Sequence, residues 1–450
     1  MKIHILGICG TFMGGIAALA RADGHEVSGQ DAGVYPPMST QLEDLGIRIH
    51  EGYSAEAVDS DADLVVIGNA LSRGNEAVEH VLNEGMDFVS GPRWLGENYL
   101  SGRRVLAVAG THGKTTTASM LAWILEHAGL KPGFLIGGVP ANFGISARTG
   151  EDLFVVEADE YDTAFFDKRA KFVHYSPSVA VLNNLEFDHA DIYPDLAAIE
   201  TQFHHLLRTV PGNGHVVYNR GDANVRRVLE RGCWSQAISF SGDDDEQADW
   251  RVKLAEPAGR KLDFGHEGGR VGSLEWPLTG RHNAMNALAA VAAAAQVGVE
   301  PESALAALAG FRGVKRRMEY LGEVNGVHVY DDFAHHPTAI RLTLEGFRRS
   351  VGNARILVAL EPASNTMRAG HHLDALGPAL AAADHVLLHS RESLDWDPSE
   401  VLGKIQAEGR FRRQVDNLLA DLREAARPGD HVVFMSNRGF GNAPRRFLDG

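Results

Sequence analysis

The chain has 450 residues, enough for about three domains at roughly 150 residues each. Its 43 Lys plus Arg stand against 59 Asp plus Glu, a formal net charge of -16, which argues against a protein built to coat nucleic acid or an anionic membrane. Two cysteines, Cys9 and Cys233, cannot make a disulfide framework, so a reducing, cytoplasmic setting is expected.

The opening residues MKIHILGICGTFMGG form a short apolar run that enters a glycine loop, which reads as a first strand and not as a signal peptide. No apolar stretch approaches the ~20 residues that cross a bilayer. A helix through Ile16 and Leu19, the strand HEVSGQD, DLVVIGN and a strand near DFVSG complete a first α/β block. Asp31 ends the second strand of that block. With the loop before it, it resembles a dinucleotide fingerprint, but Cys9 and Phe12 occupy two of the glycine positions. A diphosphate at this helix start is therefore expected more than a nicotinamide cofactor.

Near residue 101 the pattern restarts with VLAVAGTHGKTTT, a strand that ends in Gly110, Thr111, His112, Gly113, Lys114 and Thr115 and opens an amphipathic helix. Glycines let backbone N–H groups approach phosphates, Lys114 can reach the outer phosphates, and the Thr115 hydroxyl can bind Mg²⁺. Val108 stands where a full Walker loop has its first Gly, so the loop is a shortened one. Two further strands end in polar groups: FVVEADEYD brings Glu157, Asp159, Glu160 and Asp162, and VAVLNNLEFDHAD brings Asn183, Asn184, Glu186, Asp188, His189 and Asp191. Parallel strands align such ends along one crevice, and carboxylates there suit a hard cation. A turn-rich insert follows, from about Ser241 to Pro277. Its run Asp243, Asp244, Asp245 and Glu246 reads as a solvated loop between short strands. GRHNAMN, with His282, Asn283 and Asn286, then opens an Ala-rich helix.

Near residue 313 a third α/β block begins with VKRRMEY and VHVYDDFAHHPTAI, which carry Arg316, Arg317, Asp331, Asp332, His335 and His336. A helix started by Pro337 and the strands RILVALEP, HVLLHS and HVVFMSN follow. The expected domains are 1–101, 102–312 and 313–450.

The ordered set GTHGKTT, EADE, NNLEFDH, GRHNAMN, RRME and DDFAHHP resembles the Mur ligase family, ATP-dependent amide-forming enzymes of bacterial peptidoglycan metabolism, over nearly the whole chain. The resemblance implies a three-domain α/β architecture: a Rossmann-like N-terminal UDP-sugar domain, a central P-loop ATP domain and a Rossmann-like C-terminal domain for the amine substrate. It implies that UDP-N-acetylmuramate is joined to L-alanyl-γ-D-glutamyl-meso-diaminopimelate through an acyl phosphate, in cell-wall recycling. The alternative is free L-alanine as amine donor, in de novo synthesis. ATP and Mg²⁺ are the implied cofactors. No nucleic acid, membrane or obligatory protein partner is expected.

By the same resemblance, Lys114 and Arg317 hold the γ-phosphate, within a loop that runs through Thr116. Thr115 and Glu157 bind one Mg²⁺ and His189 a second, Asn283 and Asn286 contact the nucleoside, and Asp332 its ribose. His335 is expected at the reacting centre. Gly7, Gly10, Thr11, Asp31, Asn69 and Asn75 are expected to contact the UDP-sugar, and Arg368 a peptide carboxylate. Three departures stand out. No Lys lies between His189 and Arg208 to serve as the carbamylated lysine many members use, and Ala363 and Arg438 sit where tripeptide-adding members carry Arg and Gly.

Overall fold

The computed structural model describes residues 1–34, 38–242 and 245–450. Asp243 and Asp244 of the acidic run lie outside the described residues.

Three large sheets follow one another along the chain, and the strands Asp162–Ala164 and Asp167–Ala170 form a separate two-stranded antiparallel ribbon. The first is wholly parallel, in the order Arg48–Glu51, Glu26–Asp31, Lys2–Leu6, Leu64–Ile67, Phe88–Ser90. Its apolar strands IHIL and LVVI are buried on both faces, as parallel strands covered by helices must be. The strand Arg48–Glu51 and the helix Met38–Asp44 were not anticipated from sequence, since RIHE is largely exposed at the sheet edge.

The second sheet has ten strands. Its parallel centre places Val179–Leu182, Arg104–Ala109 and Leu153–Ala158 side by side. These are the three strands whose ends carry the polar motifs, so the topology delivers those ends to one edge. The insert carries the short strands expected around its acidic loop, and they join the second sheet. Trp250–Leu254, Lys261–His266 and Gly269–Glu275 extend the sheet, the last two antiparallel, and pack Trp250, Phe264 and Leu274 into the core. Asp245 is tied down as well, accepting a 2.9 Å hydrogen bond from Arg220 Nε. The helix Lys114–His127 lies against the Ala-rich helix Arg281–Ala295, whose small side chains from Ala287 to Ala294 allow close approach.

The third sheet runs Glu319–Val324, Val327–Asp332, His431–Met435, Ile356–Leu360, His385–His389, Glu408–Arg412, and only the first pair is antiparallel.

The joints between blocks are unlike. One continuous apolar core runs from Ile3, Ile8 and Ile16 to Leu135, Phe154 and Phe203, so the first two sheets share an interior. Packing there is close: a Cβ on Gly15 would lie 2.2 Å from Leu135 Cδ1. The third sheet has apolar clusters of its own. It meets the second through polar contacts, among them Thr338 Oγ1 to Glu186 at 2.7 Å, Ala190 N to Thr366 Oγ1 at 3.1 Å and Asn365 Nδ2 to Asp191 at 3.1 Å. Polar interfaces of this kind part more readily than shared cores. Among the described residues no helix is long and apolar enough to cross a membrane.

Candidate functional site

The loop from Gly110 to Lys114 is held from behind by the neighbouring strand end. His112 N donates to Asn184 Oδ1 at 2.7 Å, Asn184 Nδ2 donates to His112 O at 3.1 Å, and Glu186 N donates to Thr111 Oγ1 at 2.8 Å. Gly113 has φ 78° and presses on the buried Asn286: a Cβ there would lie 2.4 Å from Asn286 Oδ1. Only glycine satisfies both the left-handed backbone and that approach. No side chain caps the following helix. Its first N–H groups and positive end face the loop, a setting for an anion.

Buried charge gathers beside the loop. Lys114 Nζ is 2.9 Å from Glu160 Oε2, and His189 Nε2 is 3.3 Å from Glu160 Oε1. Burial works against the lysine's charge, but Glu160, then Asp159 and Glu157, override it and keep Lys114 protonated. Burial likewise opposes ionisation of Glu160, and Lys114 and His189 overcome it. Glu157 is the reverse case. Its carboxylate accepts from Thr115 Oγ1 at 3.0 Å and from Gly137 N at 2.7 Å, yet burial raises its pKa. It is a carboxylate short of positive charge. His189 sits at φ 55°, its ring tilted at 54° to Tyr161 with centroids 4.1 Å apart and its backbone N–H donating to Asp188 Oδ1 at 2.7 Å. A non-glycine residue in the left-handed region is a strained one, and such strain concentrates at working sites.

The third block contributes across the joint. Arg317 donates to Thr115 Oγ1 at 3.1 Å and lies over the Phe333 ring at 4.8 Å. Its neighbours Arg316 and Met318 both have positive φ, 59° and 49°, and Arg316 anchors the turn on the Ser436 and Arg438 carbonyls at 2.7 Å. Asp332 is 3% exposed and spends its oxygens on the backbone, accepting from Met318 N and Ala334 N at 2.7 Å each. The resemblance gives Asp332 to a ribose; in the structure it also fixes the Arg316–Met318 turn. His335 is pushed down to about 4 by burial, against the pull of Asp188, and is a neutral imidazole at neutral pH.

A cavity of about 820 Å³ opens between the second and third blocks. His112, Gly113, Thr116, Asn283 and Asn286 of the second block and Arg317 and Asp332 of the third line it. Lys114 and Thr115 are turned from it toward the carboxylates.

The remaining expected residues lie elsewhere. Gly7, Gly10, Thr11, Asp31 and Asn69 sit at the carboxyl edge of the first sheet. Asp31 accepts from Cys9 N and Gly33 N at 2.8 Å each, so it shapes the glycine loop. Gly7 has φ 83°, and the helix that begins at Thr11 has no side-chain cap. Burial pushes the Cys9 thiol up to about 11, which leaves it unreactive. Asn75 caps the helix Glu76–Asn83, accepting from Ala77 N and Val78 N. The signal was legible, since Asn ahead of EAVEHVLN is a common helix start. Arg368 pairs with Glu392, which also receives Arg438 at 2.6 Å. Both arginines lie on the third block, and Ala363 is buried nearby in chain order. Lys171 was missed: it is buried, 3.6 Å from Asp159 and over the Phe12 ring of the first block at 5.4 Å.

The donor sets fit a nucleotide and a hard cation. The Thr115 hydroxyl and the electron-rich Glu157 offer oxygen ligands beside the uncapped helix end. Asp159, Glu160 and His189 each place a ligand atom within 4.8 Å of one another.

Three family profiles match: the Mur ligase family catalytic domain at residues 2–101, the Mur ligase middle domain at 108–294, and the Mur ligase glutamate ligase domain at 316–438. The UDP-N-acetylmuramate--L-alanyl-gamma-D-glutamyl-meso-2,6-diaminoheptandioate ligase of Escherichia coli K12 is 52% identical over 452 residues, covering 100% of this chain and 98% of that one. The UDP-N-acetylmuramate--L-alanine ligase of Thermobifida fusca is 35% identical, covering 96% and 93%. A murein peptide ligase crystal structure from Psychrobacter arcticus aligns with TM-score 0.79 at 44% identity, covering 100% of this chain and 98% of that one. With its three sheets, its phosphate loop and these full-length matches, the chain belongs to the Mur ligase family.

Proposed function

We propose that this enzyme joins UDP-N-acetylmuramate to L-alanyl-γ-D-glutamyl-meso-diaminopimelate at the expense of ATP, in the cytoplasm, as a step of peptidoglycan recycling. The 52% identity to a relative named for that pair of substrates, against 35% for one named for L-alanine, supports the tripeptide over the free amino acid. The observation that carries the site is the convergence on Thr115: the phosphate loop of one block, the Glu157 carboxylate of the next strand and Arg317 of the third block meet there.

In this reading residues 1–101 bind the UDP-sugar, 102–312 the ATP and 313–450 the tripeptide. Gly7, Gly10, Thr11 and the helix that follows hold the diphosphate, with Asp31 shaping their loop. Lys114 and Arg317 hold the outer phosphate of ATP, and Asn283 and Asn286 face its nucleoside. Thr115 and Glu157 hold one Mg²⁺; Asp159, Glu160 and His189 hold a second without any need for a carbamylated lysine. When bound, the metal offsets charge repulsion between phosphate and carboxylate.

A carboxylate is a poor electrophile, and its phosphorylation gives the incoming amine a leaving group. Lys114 and Arg317 stabilise the charge that develops on the transferring group, in a site from which the third block excludes water. His335, kept neutral by burial, is the candidate to accept a proton from the attacking amine. Arg368 and Arg438 offer guanidinium groups for a peptide carboxylate, once Glu392 releases them.

The test is ADP release with each of UDP-N-acetylmuramate, tripeptide and Mg²⁺ left out in turn. The reading requires that all three be present; ADP release that needs neither acceptor would mark an ATPase of another kind.

A further inference from the structure

On the wall of the cavity, away from the Asp159–Glu160–His189 group, a second set of metal-type donors faces one point. His112 Nε2 lies 3.7 Å from Glu186 Oε1, and His336 Nδ1 lies 3.8 Å from Glu186 Oε2. One ligand atom from each of the three residues falls within 4.8 Å of the others. The two imidazole rings are 4.4 Å apart between centroids. His112 Nε2 is buried without a hydrogen-bond partner, and a polar atom left in that state calls for an explanation.

The surroundings are those of a ligating set. His336 Nε2 faces the Phe187 carbonyl at 3.3 Å, which fixes the proton on Nε2; Nδ1, 3.8 Å from Glu186, accepts from Thr338 N at 3.3 Å, a long helix-capping bond that a cation would have to displace. Thr338 Oγ1 donates to Glu186 Oε2 at 2.7 Å and orients the carboxylate. His336 is 5% exposed, and burial, with His112 and His372 beside it, keeps it neutral down to about pH 3. Neutral imidazole is the form that binds metal. A further ring, His372, stands 4.4 Å from His336 with its own Nε2 buried and unpartnered.

We propose that His112, Glu186 and His336 form a binding site for a borderline divalent transition cation such as Zn²⁺, separate from the Mg²⁺ positions. Two imidazole nitrogens and one carboxylate with an open fourth position are the ligands Zn²⁺ takes, and Mg²⁺ prefers oxygen alone. Closing 3.7 and 3.8 Å gaps around a cation with ligand bonds of about 2.0–2.2 Å needs only small side-chain adjustments.

His112 and Glu186 belong to the second block and His336 to the third. A cation held by all three spans the polar joint. It pins the third block against the phosphate loop, so it both stabilises the closed arrangement and slows any cycle that requires opening. Zn²⁺ is therefore an inhibitor that acts at the joint.

The experiment is equilibrium dialysis of the full chain against Zn²⁺ with saturating Mg²⁺ and no nucleotide, with bound zinc measured by elemental analysis. One equivalent is expected in the wild type, with a rise in melting temperature. His336→Asn keeps a residue able to cap the helix that begins at Pro337 and should weaken Zn²⁺ at least about tenfold, the loss that even an outer partner of a metal site produces. Glu186→Gln, checked for folding by circular dichroism, should do the same. His189→Asn should leave the zinc equivalent in place. No zinc equivalent in the wild type overturns the proposal. So does a wild-type affinity in both His336→Asn and Glu186→Gln, or a loss confined to His189→Asn, which would move the zinc to the Asp159–Glu160–His189 group. None of these readouts depends on turnover, so the ligase reading stands or falls separately.

Discussion

Lys114 Nζ lies 2.9 Å from Glu160 Oε2, with the two side chains 12% and 1% exposed. The lysine that should meet a phosphate is thus held by an internal carboxylate, and binding must exchange one anion for another. Removal of one member of a buried pair leaves an uncompensated charge at a loss of roughly 3–5 kcal/mol, whereas replacing both is far less damaging. Lys114→Met should therefore lower stability by about that amount and reduce kcat by on the order of 10²–10³. The double variant Lys114→Met, Glu160→Gln should regain most of the stability and none of the turnover. Denaturant melts and ADP release on the same samples check both halves; recovery of activity in the double variant would refute a catalytic role for Lys114.

Arg317 reaches Thr115 across the joint at 3.1 Å. Arg317→Ala should lower kcat by on the order of 10²–10³ with the KM for UDP-N-acetylmuramate unchanged, because the group acts on developing charge and not on the sugar. Steady-state kinetics at saturating tripeptide measure it. A change confined to KM would place Arg317 in ground-state binding.

Asn75 caps a helix, with its Oδ1 accepting from two backbone N–H groups. Asn75→Ala should cost about 1 kcal/mol of stability and leave the KM for UDP-N-acetylmuramate within twofold. A rise in KM with an unchanged melt would instead restore Asn75 as a substrate contact.

His4 is 2% exposed, between Ser28 Oγ at 2.9 Å and Gln30 Nε2 at 3.1 Å, and burial lowers it to about 4. The unfolded chain takes up a proton near pH 6.5 and the folded one does not until about pH 4. Stability is therefore lost as pH falls from 6.5 toward 4, on the order of 1–2 kcal/mol between pH 7 and 5. His4→Leu should be less stable at pH 7 and show a flatter pH dependence across that window. Urea melts at pH 7, 6 and 5 give the comparison.

The central strands and the phosphate loop were legible because each motif follows an apolar run, and a parallel sheet aligns strand ends whatever the helices between them do. Local signals also sufficed for the Pro337 helix. What sequence could not show is which charge meets which. Glu160 appeared as one acid among four, and its pairing with both Lys114 and His189 arises only when two strand ends come together. Lys171 stands among other cations in FFDKRAK with nothing local to single it out, and the fold buries it beside Asp159. Asp332 was read as a ribose ligand by resemblance, and its further tie to Met318 N and Ala334 N appears only in the fold. Short strands were expected in the turn-rich insert, but their bounds and register were not, because these depend on pairing with the sheet already formed.

The most direct test of the account is the rate of ADP release with ATP, Mg²⁺ and UDP-N-acetylmuramate when L-alanyl-γ-D-glutamyl-meso-diaminopimelate and free L-alanine are offered separately as amine donor. The account predicts turnover with the tripeptide and almost none with alanine. Turnover with alanine alone would contradict it and place the enzyme in de novo synthesis.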